Sequence, residues 1–163
     1  MKSSDVIIGN YFFDGKAGLR EVLSVEGPRS VVRYRILSAK VEREMQPDGS
    51  YKSIIGDTSE CLLGSFMGWA KISLAPVFGE PLLQELRAAK IKLSGPEQAF
   101  MESVATEAPE ARIGTLVSFD PDEKRAVGGL ERKGLLKRLA GGEIELLESG
   151  AARVRAVNRA RGN

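Results

Sequence analysis

Histidine is absent from this 163-residue chain, and cysteine occurs once, as Cys61. Without histidine there is no Ser-His or Cys-His nucleophilic machinery, no histidine general base and no histidine metal ligand. One thiol cannot close an intramolecular disulfide or hold a structural zinc ion, and it points to a reducing cytoplasm. No Gly-x-x-x-x-Gly-Lys-Ser/Thr loop is present to cradle phosphates. No run approaches about eighteen consecutive apolar residues, so no transmembrane helix is expected. Lys2-Ser3-Ser4-Asp5 lacks the apolar core of a signal peptide. These absences lead us to expect a cytoplasmic binding protein: not an enzyme, with no metal, no cofactor and no membrane partner.

What the chain does hold is material for a core, at 42% hydrophobic and 28% charged residues. A net charge of +2 is too small to imply nucleic acid, but the charges are segregated. Between positions 97 and 123, Glu97, Glu102, Glu107, Glu110, Asp120, Asp122 and Glu123 face a single base, Arg112. Between 124 and 138 the sign reverses, with Lys124, Arg125, Arg132, Lys133, Lys137 and Arg138 against Glu131. The last stretch carries Arg153, Arg155, Arg159 and Arg161 and no acid. Segregation creates a local field that the net charge conceals.

Residues 6–13, 19–25, 31–37 and 51–55 read as strands. The turns Asp14-Gly15-Lys16-Ala17-Gly18, Glu26-Gly27-Pro28 and Pro47-Asp48-Gly49-Ser50 punctuate them. In the second strand Leu19, Glu21, Leu23 and Val25 alternate with Arg20, Val22 and Ser24. In the third, Val32, Tyr34 and Ile36 share the inward face, with Arg33 and Arg35 outward. The fold class is α+β, opening with a small antiparallel SH3-like barrel over residues 1–75. A short helix over 65–71 would set Trp69 as a plug in its open end. Pro76 and Pro81 mark a helical connector over 76–93, burying Leu82, Leu83 and Leu86.

Ser94-Gly95-Pro96-Glu97 has the form of a capping box with proline in the first turn. The helix it starts runs to about 106 and buries Phe100, Met101 and Val104. A second, shorter helix is expected over 111–117. Asp120-Pro121-Asp122-Glu123 repeats the capping logic, and a third helix runs from there to Lys133, stopping at Gly134. At 100° per residue, Glu123, Ala126, Val127 and Leu130 face inward. Arg125, Gly128 and Arg132 lie opposite, with Gly129 beside them. Glycine inside a helix costs up to ~1 kcal/mol against alanine. An exposed Gly128-Gly129 gap between two arginines therefore marks either a local bend or close approach by DNA or a partner. Residues 135–140 and 143–147 form a hairpin about Gly141-Gly142, with Ile144 and Leu146 inward, and a final helix covers 151–161.

Residues 94–160 resemble the winged helix-turn-helix family, in particular its MarR-like branch. There a recognition helix ends in a V-x-x-L-E-x-K-G-L-I-x-R run, followed by a wing and an L-T-x-x-G step. Here Val127, Leu130, Glu131, Lys133, Gly134, Leu135, Leu136 and Arg138 stand in that order, followed by Leu146-Leu147-Glu148-Ser149-Gly150. The resemblance implies a winged-helix domain over 94–163 that reads duplex DNA. Lys124, Arg125, Gly128, Gly129 and Arg132 would face the groove, with Lys137 and Arg138 near the wing. Arg153 and Arg155 would add phosphate affinity, and Arg33 and Arg35 could extend the footprint. Two departures stand out: a short wing with glycines at its tip, and Asp120, Asp122 and Glu123 where phosphates would lie.

Two readings follow. In the first, a small DNA-binding regulator of transcription uses its winged helix on DNA and its barrel for docking, and a homodimer suits it. By analogy, this build fits a protein of a bacterium, a phage or another mobile element. In the second, an adaptor or inhibitor uses the winged helix to bind a protein. The deciding observation is whether Arg125, Arg132, Lys137 and Arg153 form one continuous basic surface.

Overall fold

A computed structural model describes residues 2–27 and 30–162. The chain is α+β, its sheets are antiparallel, and it divides into two compact units, Met1–Leu83 and Gln84–Asn163.

The first unit contains β1 (Tyr11–Phe13), β2 (Leu19–Glu26), β3 (Val31–Ser38), β4 (Arg43–Met45), β5 (Tyr51–Ser53), β6 (Thr58–Leu62), α1 (Leu63–Trp69) and β7 (Ile72–Leu74), followed by α2 (Pro76–Ala89), which continues into the second unit. Its main sheet has the order β6-β3-β2-β1-β7. β6 and β7 are outer strands, so the sheet is open and the expected closed barrel is not formed among the described residues. β4 and β5 do not join this sheet. They pair with each other in a separate hairpin, exposed at every position.

The third strand keeps its predicted register: Val32 and Tyr34 are buried, Ile36 is half-buried, and Arg33 and Arg35 are exposed. The second does not. Register shifts at Leu19/Arg20 and Val22/Ser24 break the period of two, so Leu19 and Val22 are both buried although they fall on opposite faces of a regular strand. The first predicted strand is shortened. Gly9, at φ 83°, turns the chain, and Ile7 and Ile8 are left exposed. Pro28 of the expected second turn lies outside the described residues. Phe12, Val22, Val32, Tyr34, Phe66 and Ala70 form the core of this unit. Trp69 packs on Phe66, and Arg20 is layered between the rings of Tyr34 and Trp69, 4.3 and 3.8 Å from their centroids. Tyr11 abuts Gly79, where a β-carbon would lie 2.3 Å from the ring, and its hydroxyl donates to Glu80.

The second unit carries the rest of α2, then α3 (Gly95–Glu107), β8 (Leu116–Ser118), α4 (Lys124–Arg132), β9 (Leu136–Arg138), β10 (Glu143–Leu146) and α5 (Glu148–Arg161). Both predicted capping boxes form, with Ser94 and Asp120 donating their amides to Glu97 and Glu123 at 2.7 and 2.8 Å. The hairpin about Gly141-Gly142 is present, Ile144 opposite Arg138 and Leu146 opposite Leu136, and β8 adds on the other side of β10. Phe100, Met101, Val104, Val127, Leu130, Leu135, Leu136, Ile144 and Leu146 make one core with Val154 of α5.

The helix expected over 111–117 does not form. Gly114 donates to Leu146 O and Leu146 to Thr115 O, so this segment instead delivers β8 to the edge of the sheet. Between β8 and α4 the chain makes only a 3-10 turn, Pro121–Glu123. Among the described residues, no second helix stands between β8 and α4, while the third helix and the hairpin after it are present.

Candidate functional site: the face of helix α4

The face of α4 follows from its two ends. The Asp120 box starts it, and Gly134, at φ 71°, stops it after Lys133 donates to Gly129 O. Ala126, Val127 and Leu130 enter the core as predicted. Lys124, Arg125 and Arg132 are exposed and make no hydrogen bond or ion pair among the described residues.

The glycine pair is not an open gap. Both residues are shielded from solvent. A β-carbon on Gly129 would lie 2.1 Å from Glu97 Oε1, so the missing side chain makes room for a carboxylate of this same chain. Glu97 accepts from the Ser94 amide and pairs with Lys133, tying the start of α3 to the end of α4. It is 6% exposed, and the Lys133 ammonium, helped by the Ser94 amide, holds its carboxyl below the ordinary range. Gly128 differs: a β-carbon there would meet only Arg132 Nη1, at 3.9 Å.

The other predicted contacts scatter. Arg138 donates to Glu131 through both its backbone amide and its side chain, 2.9 and 2.6 Å, and these bonds lower the Glu131 pKa. Lys137 is the cross-strand neighbour of Glu145, on the face of the hairpin away from the buried Leu136, Ile144 and Leu146. Arg153 donates to the carbonyls of Ala88 and Ala89 at the end of α2 and to Gln98 Oε1. Arg155 and Arg159 share the buried Glu85, at 3.2 and 2.5 Å, and Arg161 reaches Thr106. These arginines tie helices together, although Arg159 and Arg161 also remain exposed. In the first unit Arg35 pairs with Glu21 at 3.2 Å, and Arg33 stands alone on the exposed side of β3. Of Arg125, Arg132, Lys137 and Arg153, Arg125 and Arg132 line one groove, while Arg153 is bonded to the end of α2 and to Gln98.

Compared with known proteins, the chain matches no family model, no curated protein and no solved structure.

What the fold does assemble is a groove of about 760 Å³ between the first turns of α3 and the face of α4. Pro96, Ala99, Phe100 and Ala126 supply apolar walls, and Arg125 and Arg132 line it along α4. Asp122 and Glu123 close one end. Pro96, Ala99 and the second role of Glu97 escaped the sequence reading. The capping box was visible, but nothing in a single helix tells which distant glycine its carboxylate will cover.

Proposed function

We propose that the second unit is a winged-helix-like module that uses its α4 face to bind a protein. The first unit, an opened relative of an SH3-like barrel, serves as a docking module. One observation carries the protein reading: the unpaired Arg125 and Arg132 border a groove with apolar walls, whereas Arg138, Arg153 and Arg155 are paired within the unit. Mixed apolar and charged lining of this kind suits a folded or folding protein segment better than a phosphate backbone.

DNA regulation is the second reading, favoured by the three unpaired cations Lys124, Arg125 and Arg132 in sequence along α4. Magnitude weighs against it. Neutralising Z phosphates gives a log–log salt slope of about −0.9Z, and binders with strong salt dependence make about six to ten such contacts. The three cations along α4, with Asp122 and Glu123 beside them, fall short of that number even with the exposed Lys137 added. Salt-dependent anisotropy on a labelled random duplex tests this. Protein binding predicts no saturable association at physiological salt. Association that weakens steeply between about 50 and 200 mM salt and loses about 0.9 of slope per arginine in R125A and R132A would restore the DNA reading.

A further inference from the structure

We infer that the α3–α4 groove receives an amphipathic helix of a partner protein, bearing two carboxylates two turns apart with large apolar side chains between them. This rests on the protein-binding reading of the same face. The groove is a cleft between two packed helices, which favours a helical occupant over an extended one. No segment of this unit fills it: the residues expected to form a second helix beside α4, 111–117, instead lead into β8. Ala99 is exposed at its wall, although Phe100 and Ala126 next to it are buried. The unit therefore presents an open trough of mixed apolar and charged lining, with nothing of its own lying in it.

Charge selects the occupant. Arg125 and Arg132 are seven residues apart, about 10.5 Å along the axis at about 1.5 Å per residue. A partner helix running alongside matches that spacing with carboxylates at i and i+7, and its positions i+3 and i+4 then face the trough. Guanidinium forks bind carboxylates bidentately, which fixes the register. The other polar groups at the groove limit where acid can be placed. Glu97 is already paired with Lys133, and Glu123 accepts from the Asp120 amide. Asp122 is exposed and lies at the end away from Arg132. The two carboxylates of the occupant are thus placed at Arg125 and Arg132 and not beyond Arg125, where Asp122 would repel a third.

The test uses the full chain, labelled with ¹⁵N, and two synthetic helix-forming peptides. One has Glu at i and i+7 and Leu at i+3 and i+4; the other has Lys in place of both Glu. The Glu peptide is expected to shift the amides of residues 96–100 and 122–132. Its affinity should fall at least about tenfold, roughly 1.4 kcal/mol, in R125E/R132E, and the Lys peptide should then bind that variant better than it binds the wild type. Ala99→Glu, at an exposed helix position that leaves the spectrum dispersed, should also block the Glu peptide. Shifts elsewhere, equal binding of both peptides, or no binding of the Glu peptide would overturn the inference. The protein-binding reading fails separately, if duplex DNA takes the α4 face.

Discussion

Gly128 and Gly129 are neighbours with opposite expected responses to one methyl group. Alanine at Gly128 meets only the end of Arg132, and should gain up to ~1 kcal/mol of helix propensity. Alanine at Gly129 displaces the Glu97 carboxylate from its amide and its ammonium, and should cost about 1–3 kcal/mol net. Denaturant unfolding of both variants checks the pair, and in a double-mutant cycle with Glu97→Ala the cost at Gly129 should shrink. Protons should act on the same contact. A carboxyl held below its ordinary 4.5 in the folded chain stabilises above that value. The contribution is lost as pH falls through the folded value, so acid should weaken the wild type more than Glu97→Gln. Tyr11 runs the other way. Its hydrogen bond to Glu80, with burial, pushes its pKa up to about 12. The folded chain then keeps a proton that the unfolded chain releases near 10, and stability falls between about pH 10 and 12. Ultraviolet titration should find Tyr11 ionising well after an ordinary tyrosine, a step missing in Tyr11→Phe.

Helix α5 begins against the carbonyl of Leu135, and Gly150 makes that contact possible: a β-carbon there would lie 2.0 Å from the oxygen. The obstacle is backbone, not a flexible tip, so Gly150→Ala should cost several times more than Gly129→Ala and should lower the thermal midpoint sharply. Loss of less than about 1 kcal/mol would show that α5 can move aside. This glycine closes the Leu-Leu-Glu-Ser-Gly step that drew attention in the sequence. Elements with strong local punctuation were legible there: the two capping boxes, the Gly134 stop and the Gly141-Gly142 hairpin. Where long-range pairing overrode local pattern, the sequence misled. Residues 111–117 look helical, yet the turn at Gly114 and bonds to Leu146 draw them into a sheet. The bulges in β2 erase an alternation that a regular strand would keep. The same limit hid the fate of the arginines, because Arg153 and Arg155 are matched to Gln98, Glu85 and the end of α2, all more than fifty positions away.

Across the whole molecule, charge segregation in the sequence translates mostly into internal pairing. The basic tail meets Glu85, Thr106 and backbone carbonyls, Lys133 meets Glu97, and Arg138 meets Glu131. Along α4, Arg125 and Arg132 remain for a ligand at a groove of mixed lining, with Lys124 exposed beside Pro121 and Phe119. Among the described residues no helix is long and apolar enough to cross a membrane. The proposal at stake is that this face binds protein and not duplex DNA. The most direct measurement is the amide spectrum of the ¹⁵N-labelled chain titrated with a random duplex at about 150 mM salt, where screening falls within about 8 Å. The account predicts no progressive movement of the Lys124–Arg132 amides. Saturable movement of those amides, abolished in R125A/R132A, would contradict it.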